Sequence, residues 1–256
     1  MRSLISTAVL PGNPREDETL DAFHRGRVLV LQRKRGYRFA LDAPLLADFI
    51  RAGRTDELLE LGTGSGIISL LLALRPTGRI TAIEIQPALA DIARRNVVLN
   101  RMADRITVVR HDLRTYRRRR KFDIVFANPP YIRKRTGCLS PTAEKSIAKH
   151  ELKCDILGIM RTTAKLLKKD GRAYFVYPAG RRDDLATAAR AFGLHPRAVR
   201  LVHPRKDAEA NLFLVECGFA AKPERRLPPL VLYEESGATT AEARRIFEGR
   251  NRVPAR

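Results

Sequence analysis

Asn128-Pro129-Pro130-Tyr131 stands directly after the apolar run Phe122–Ala127, and its residue types suit one chemical task, alkylation of a planar nitrogen. An exocyclic amino or amide nitrogen has a delocalised lone pair and is a poor nucleophile, so a catalyst must gather and aim it. The Asn128 side-chain oxygen and the Pro129 carbonyl can accept the two N–H bonds of such a group. Tyr131 offers a ring face on which the rest of a planar substrate can stack. Pro129 and Pro130 fix φ and remove competing backbone donors, which keeps the loop stiff and its carbonyls available. Taken alone, the tetrapeptide also reads as a proline-rich turn out of a strand. The residues upstream decide between the two.

Glu60-Leu61-Gly62-Thr63-Gly64-Ser65-Gly66 leaves one apolar run and opens another of helical spacing, where a glycine turn lets backbone approach a ligand. Such turns also serve dinucleotides, but a pyrophosphate is drawn to a helix N-terminus, and Glu60 would oppose that anion. S-adenosylmethionine carries a sulfonium and an ammonium and no phosphate, so an acid beside the loop favours it. Glu84 closes the next apolar run, 22 residues after Gly62 (84 − 62), where a carboxylate can take both ribose hydroxyls. Asp112 ends a third run and can accept from the adenine amino group, with the Leu113 backbone against the ring. Each acid alone reads as a solvated strand end. In step with a glycine turn, the three read as a cofactor site on the carboxyl edge of a sheet.

Only a parallel sheet brings these residues to one edge. Glu57–Leu61, Arg79–Ile85, Ile106–Arg110, Phe122–Ala127 and Arg172–Tyr177 read as strands, with Ile67–Leu74, Pro87–Asn100 and Glu144–Lys169 as helices between them. A helix is also expected after Asp112, running from the catalytic edge to the opposite one. Arg197–Val202 and Asn211–Cys217 have only a short Pro/Lys/Asp-rich connection, which predicts an antiparallel pair. Ahead of the core, Arg27–Gln32 and Tyr37–Leu41 flank the basic turn Arg33-Lys34-Arg35-Gly36 and read as a β-hairpin. Asp42-Ala43-Pro44 then opens a helix, with aspartate as N-cap and proline in the first turn. Leu230–Tyr233 is a short late strand, and Thr239-Thr240-Ala241-Glu242 has capping-box spacing for a final helix. The chain thus divides into an extension over 1–26, an α/β domain with its N-terminal hairpin over 27–220, and a C-terminal extension over 221–256.

With 256 residues, 44% apolar and 30% charged, the chain suits one large domain with extensions, and no apolar run approaches a bilayer-spanning length. Leu4–Leu10 is too short and too weakly apolar for a signal peptide, which reads as cytoplasmic. Cys138, Cys154 and Cys217 are widely spaced, with no histidine placed to complete a metal site, and read as reduced and structural. The net charge of +21 draws the surface toward phosphate and points to RNA or DNA as partner. The competing reading is an arginine-rich enzyme that is basic all over.

The ordered set Asp42-Ala-Pro-Leu-Leu, Glu60 to Gly66, Ile83-Glu84-Ile85-Gln86, His111-Asp112-Leu113 and Asn128 to Tyr131 resembles class I S-adenosylmethionine-dependent methyltransferases that act on amino nitrogens. Ala148-Lys-His150-Glu151, Val202-His-Pro-Arg205, Glu209-Ala-Asn211 and Leu227 to Tyr233 make it similar to the bacterial tRNA1(Val) adenine-37 N6-methyltransferase family. The resemblance runs from about Arg27 to Tyr233. It implies a Rossmann-like, seven-stranded, mostly parallel sheet with an antiparallel last hairpin, and methyl transfer to N6 of adenosine 37 of tRNA. It also implies cofactor contacts at Asp42, Glu60, Leu61, Gly62, Thr63, Gly64, Gly66, Glu84, Ile85, Asp112, Leu113 and Asn128, with Asn128, Pro129, Pro130 and Tyr131 catalytic. RNA contacts are expected from Arg33, Lys34 and Arg35 in the hairpin and from Arg133, Lys134 and Arg135 after the catalytic loop. Arg117–Lys121 is expected at the far edge of the sheet. Where some relatives are acidic, the C-terminal region here carries Glu234-Glu235 followed by Arg244-Arg245 and Arg252. Two alternatives stay open: the same chemistry on a protein glutamine or an rRNA guanine, and a non-catalytic RNA-binding protein of this fold.

Overall fold

The β-branched runs pair side by side in the computed structural model, which describes residues 13–36, 38, 41–129 and 156–249. The central strands are β3 (Leu58–Leu61), β4 (Ile80–Glu84), β5 (Ile106–Arg110), β6 (Phe122–Ala127), β7 (Leu167–Pro178), β8 (His195–His203) and β9 (Leu212–Gly218). They lie in the order β5-β4-β3-β6-β7-β9-β8. Neighbours from β5 to β7 are parallel, and β9 runs antiparallel to both β7 and β8. These are the seven expected strands. Two short strands, β10 (Arg225–Arg226) and β11 (Leu230–Val231), extend the sheet along β8 in parallel.

Period-two alternation splits the apolar residues between two faces. Leu58, Ile80, Ala82, Ile124 and Phe126 join one core, covered by α1 (Asp42–Phe49), α2 (Ile67–Ala73) and part of α3 (Pro87–Leu99). Leu59, Leu61, Ile83, Val125 and Ala127 join the other, covered by α4 (Ile156–Leu166) and α5 (Arg182–Arg190). The final helix, α6 (Ala241–Glu248), packs its Ala243 and Ile246 into the first core.

The hairpin lies earlier than expected. Its strands are β1 (Glu18–Phe23) and β2 (Val28–Arg33), paired from Glu18↔Arg33 to Phe23↔Val28, so residue 27 falls in its turn and does not begin its first strand. The cause is local. β1 has a single buried position, the charged Glu18, and no buried apolar stripe, and the turn places His24 and Arg25 at positive φ (48° and 58°) ahead of Gly26, a use of non-glycine residues that leaves little signal. Of the expected second strand, Tyr37, Phe39 and Ala40 lie outside the described residues.

Other boundaries also move. Residues 111–121 connect β5 to β6 through turns and not through a helix. Leu167–Lys169, expected to end a helix, begin β7, while Glu144–Asp155 lies outside the described residues. Asp42 is the first residue of α1 and Leu41 its cap; the Asp42 Oδ1 accepts from Ala43 N at 2.9 Å. Thr240, not Thr239, caps α6 by accepting from Ala243 N at 3.2 Å, and Glu242 instead holds Arg200 at 2.8 Å.

Candidate active site

Glu60 follows Leu58 on its face of β3, Glu84 follows Ala82 on β4, and Asn128 continues the row of Ile124 and Phe126 beyond β6. Asp112 continues the row of Ile106 and Val108 beyond β5 in the same way. The pleat therefore assigns all four polar residues to one side of the sheet, at its carboxyl edge. The parallel register sets Glu60 beside Phe126, so Gly62 and Asn128 leave neighbouring strands together.

The glycine turn is held from both sides. Gly62 N and Thr63 N each donate to Ile83 O at 2.9 Å, and Gly64 N donates to Glu84 Oε2 at 2.8 Å. φ is positive at Gly62, Gly64 and Gly66, and Gly66 (φ 86°) is the cap from which α2 starts, a conformation that a side chain would strain. Glu60 is 1% exposed and its Oε2 accepts from Thr63 Oγ1 at 2.6 Å and from Ser69 Oγ. Burial pushes its carboxyl up to about 7 against those two hydroxyls, and the nearby Glu84 adds to the rise. Glu84 is 4% exposed; burial raises its carboxyl as well, although Gly64 N and Gln86 N donate to its two oxygens. Among the described residues neither acid has an ion-pair partner. The pair forms a buried negative field beside a turn of open backbone, which suits a cationic ligand and repels a pyrophosphate.

Asp112 differs from the expected free acceptor. Arg114 Nε lies 3.0 Å from both of its oxygens and Arg114 N donates to Oδ1 at 2.9 Å. That guanidinium holds the carboxyl below the usual aspartate range. Thr162 Oγ1 on α4 donates to Leu113 O at 3.4 Å, which fixes the segment against the second core. Ile85, by contrast, is 44% exposed at the edge. Asp42 is buried at the start of α1, and α1 and α2 end together, since Arg75 after α2 donates to Ala47 O and Ile50 O of α1. Their starts, Asp42 and the glycine turn, therefore face one edge.

Asn128 is half-buried and Pro129 buried, directly after β6. Pro130, Tyr131, Arg133, Lys134, Arg135, His150 and Glu151 lie outside the described residues, as do Cys138 and Cys154. Cys217 is buried and free, and burial pushes its thiol up to about 12. The basic run expected in the hairpin turn lies instead at the end of β2 and just beyond it: Lys34 and Arg35 are exposed, while Arg33 pairs with Asp17 at 3.0 Å. Arg118 sits at the amino edge of the sheet, 3.0 Å from Glu57 and over the Phe122 ring at 4.6 Å, which leaves it far from the glycine turn.

Asn96 of α3 and Asn100, the cap at its end, carry no local signal in the sequence and join the hairpin to this site. Asn96 Oδ1 accepts from Leu31 N at 2.7 Å, and its Nδ2 donates to Leu31 O at 3.0 Å and to Ser65 O in the glycine turn at 2.8 Å. One turn on, Asn100 repeats the grip on Leu29, accepting from its N at 2.9 Å and donating to its O at 2.7 Å. Four helical residues rise about 6 Å and two strand residues about 6.6 Å, so the two spacings match. The edge of β2 that faces away from β1 is thereby paired and not left open.

The chain matches the methyltransferase small domain family over residues 38–180. It is 35% identical over 156 residues to the tRNA1(Val) (adenine(37)-N6)-methyltransferase of Bacteroides thetaiotaomicron, covering 60% of this chain and 65% of that protein. It is 30% identical over 206 residues to the protein of the same name from Parabacteroides distasonis, covering 79% of this chain and 86% of that one. Among solved structures it is similar to a predicted O-methyltransferase of Agrobacterium tumefaciens, with a TM-score of 0.63 and 22% identity over 81% of this chain and 96% of that one, a likeness of fold. Among the described residues no helix is long and apolar enough to cross a membrane.

Proposed function

As a chain that belongs to the methyltransferase small domain family and to the tRNA1(Val) (adenine(37)-N6)-methyltransferases, it is an S-adenosylmethionine-dependent methyltransferase, and we propose that it methylates N6 of adenosine 37 of tRNA in the cytoplasm. The observation that carries this reading is the buried pair Glu60 and Glu84 in one row with Asn128. Two desolvated carboxylates suit a cationic methyl donor, and an acceptor-rich Asn-Pro loop suits an amino group.

When bound, the cofactor supplies a methyl group on a sulfonium, a leaving group whose bond electrons return to sulfur. The residues do the rest by positioning. Glu60 and Glu84 favour the positive charge and the ribose hydroxyls, the Gly62–Gly66 backbone lines the approach, and Asp112 with Leu113 meets the adenine of the cofactor. Asn128 Oδ1 and the Pro129 carbonyl accept the two N6–H bonds of the target and aim its lone pair. Tyr131 stacks on the target base. After transfer the nitrogen is an ammonium that loses its proton to water, so no general base is assigned. Lys34, Arg35 and the triplet Arg133-Lys134-Arg135 hold phosphates. Arg33 joins them by exchanging its half-exposed pair with Asp17, a pair of small net worth.

Replacing Asn128 by Ala tests the role of the loop. The expected result is loss of methyl transfer by at least a hundredfold with calorimetric binding of S-adenosylmethionine kept within a few-fold. Unchanged turnover overturns the assignment.

A further inference from the structure

A cavity of about 540 Å³ opens at the amino edge of the sheet, away from the glycine turn. Four separate pieces of chain build it: the hairpin turn with His24 and Arg27, the end of α1 with Asp48 and Arg51, the segment after α2 with Arg75, and α6 with Arg245. Arg172, in β7 beside Ile124 of β6, completes the lining. Hairpin turn and α6 both lie outside residues 38–180, the span of the family domain. They are locked to each other here: His24 Nε2 meets Ile246 O at 3.1 Å, Arg25 pairs with Glu248 at 2.6 Å, and Arg27 donates to Gly249 O at 3.3 Å.

The charges are unequal. Five arginines and one aspartate, Asp48, line the space. Arg172 is matched by Asp56 at 3.2 Å and Arg245 by Glu242 at 3.6 Å. Among the described residues, Arg27, Arg51 and Arg75 have only backbone carbonyls as hydrogen-bond partners: Gly249 O, Asp48 O, and the Ala47 and Ile50 carbonyls. Three guanidiniums around a concave space therefore face one carboxylate. A cavity so lined focuses a positive potential and lowers the cost of bringing in an anion. The planar fork of arginine matches phosphate oxygens in pairs.

We propose that this cavity binds phosphate groups, and that they belong to the backbone of the RNA substrate, as a second anchor on the side of the protein away from methyl transfer. This rests on the reading of the chain as an RNA methyltransferase. The span is short: α1 (Asp42–Phe49) is eight residues, about 12 Å of helix, and Arg51 follows two positions after its end. One RNA stem-loop can therefore engage both edges. Contacts of this kind fix orientation without reading bases.

The test uses the full-length protein and purified total tRNA, with Arg27→Gln/Arg51→Gln compared with wild type; Arg75 is left in place because it closes the end of α1. A control, Lys222→Gln/Arg226→Gln, removes two exposed cations at the β10 edge. The expected result is about tenfold weaker tRNA binding at 0.1 M salt for the cavity variant. The slope of log K against log salt should be shallower by about 1.4 to 1.8, since each phosphate contact contributes about 0.7 to 0.9. S-adenosylmethionine affinity should be unchanged, and the control should lose less than threefold. Equal losses in both variants, or no change in the cavity variant, overturn the proposal. Titration with pyrophosphate alone separates the sources of phosphate: if the variant loses pyrophosphate binding while tRNA binding stays intact, the RNA assignment is wrong. If the wild type methylates no tRNA, the functional reading has failed instead, and that result is seen without any variant.

Discussion

Asn96 holds Leu31 by both of its backbone polar groups, accepting from its N–H at 2.7 Å and donating to its carbonyl at 3.0 Å, while the second amide hydrogen reaches Ser65 O. A fully buried side chain thus spends its acceptor and both donors on backbone, and the hairpin that leads into Lys34 and Arg35 is tied directly to the glycine turn.

Removal of that side chain leaves three buried backbone groups without partners. Asn96→Ala should therefore lower stability by about 3 kcal/mol, and Asn100→Ala, at a partly exposed site, by about 1 kcal/mol. Asn96→Asp should not rescue, because a carboxylate can accept from Leu31 N but cannot donate to Leu31 O or Ser65 O. Denaturant unfolding measures the differences. Equal and small losses for all three would show that the hairpin is held by packing alone.

Glu60 makes stability depend on pH in a definite direction. Its carboxyl is raised from 4.5 to about 7, mainly by burial, so between those values the native state binds more protons than the unfolded chain. The contribution is complete below about pH 4.5 and is lost as pH rises through about 7, on the order of 3 kcal/mol. Glu84, raised for the same cause, acts in the same sense. Melting temperatures of wild type should fall across this window relative to Glu60→Gln, whose amide does not titrate. Parallel curves would refute the coupling.

A cationic ligand favours the ionised form of the same acid. Binding of S-adenosylmethionine near pH 6.5 should therefore release protons, visible as a buffer-dependent heat in calorimetry, and affinity should rise toward pH 8. Glu60→Gln should weaken binding at pH 8 and remove most of the proton release. A wild-type heat that is independent of buffer argues that Glu60 is already ionised before binding.

Gly66 caps α2 at φ 86°, where an added Cβ meets Ala93 Cβ at 3.5 Å, an ordinary contact. Space is available, so the cost of Gly66→Ala is conformational, about 1 to 2 kcal/mol. Stability should drop by that amount, and cofactor affinity should fall as the turn relaxes. Thermal unfolding with and without cofactor reads both. An unchanged melting temperature would mean that the turn tolerates a right-handed backbone.

The acids, the glycine turn and Asn128 were legible in sequence because strand ends and glycine turns leave local marks. Their common face follows from period-two alternation once the strands are placed. Asn96 and Asn100 were not, since an asparagine on a helix looks like any polar surface residue until its strand partner is known. β1 escaped for a related reason: it is an edge strand with few buried side chains, and its turn uses His24 and Arg25 at positive φ in place of the usual glycine or asparagine. The Arg114 grip on Asp112 is a contact between a turn residue and the end of a strand two positions earlier, invisible to periodicity. α5 leaves little mark in the sequence because its apolar face is small, Leu185, Ala188 and Ala189.

The central claim is tested most directly by incubating the protein with methyl-labelled S-adenosylmethionine and separately purified tRNA, rRNA, DNA and protein fractions, then mapping the labelled atom. Label is expected in tRNA, on N6 of adenosine 37, and is expected to be absent with Asn128→Ala. Label confined to protein, or found on a guanine of rRNA, would contradict it.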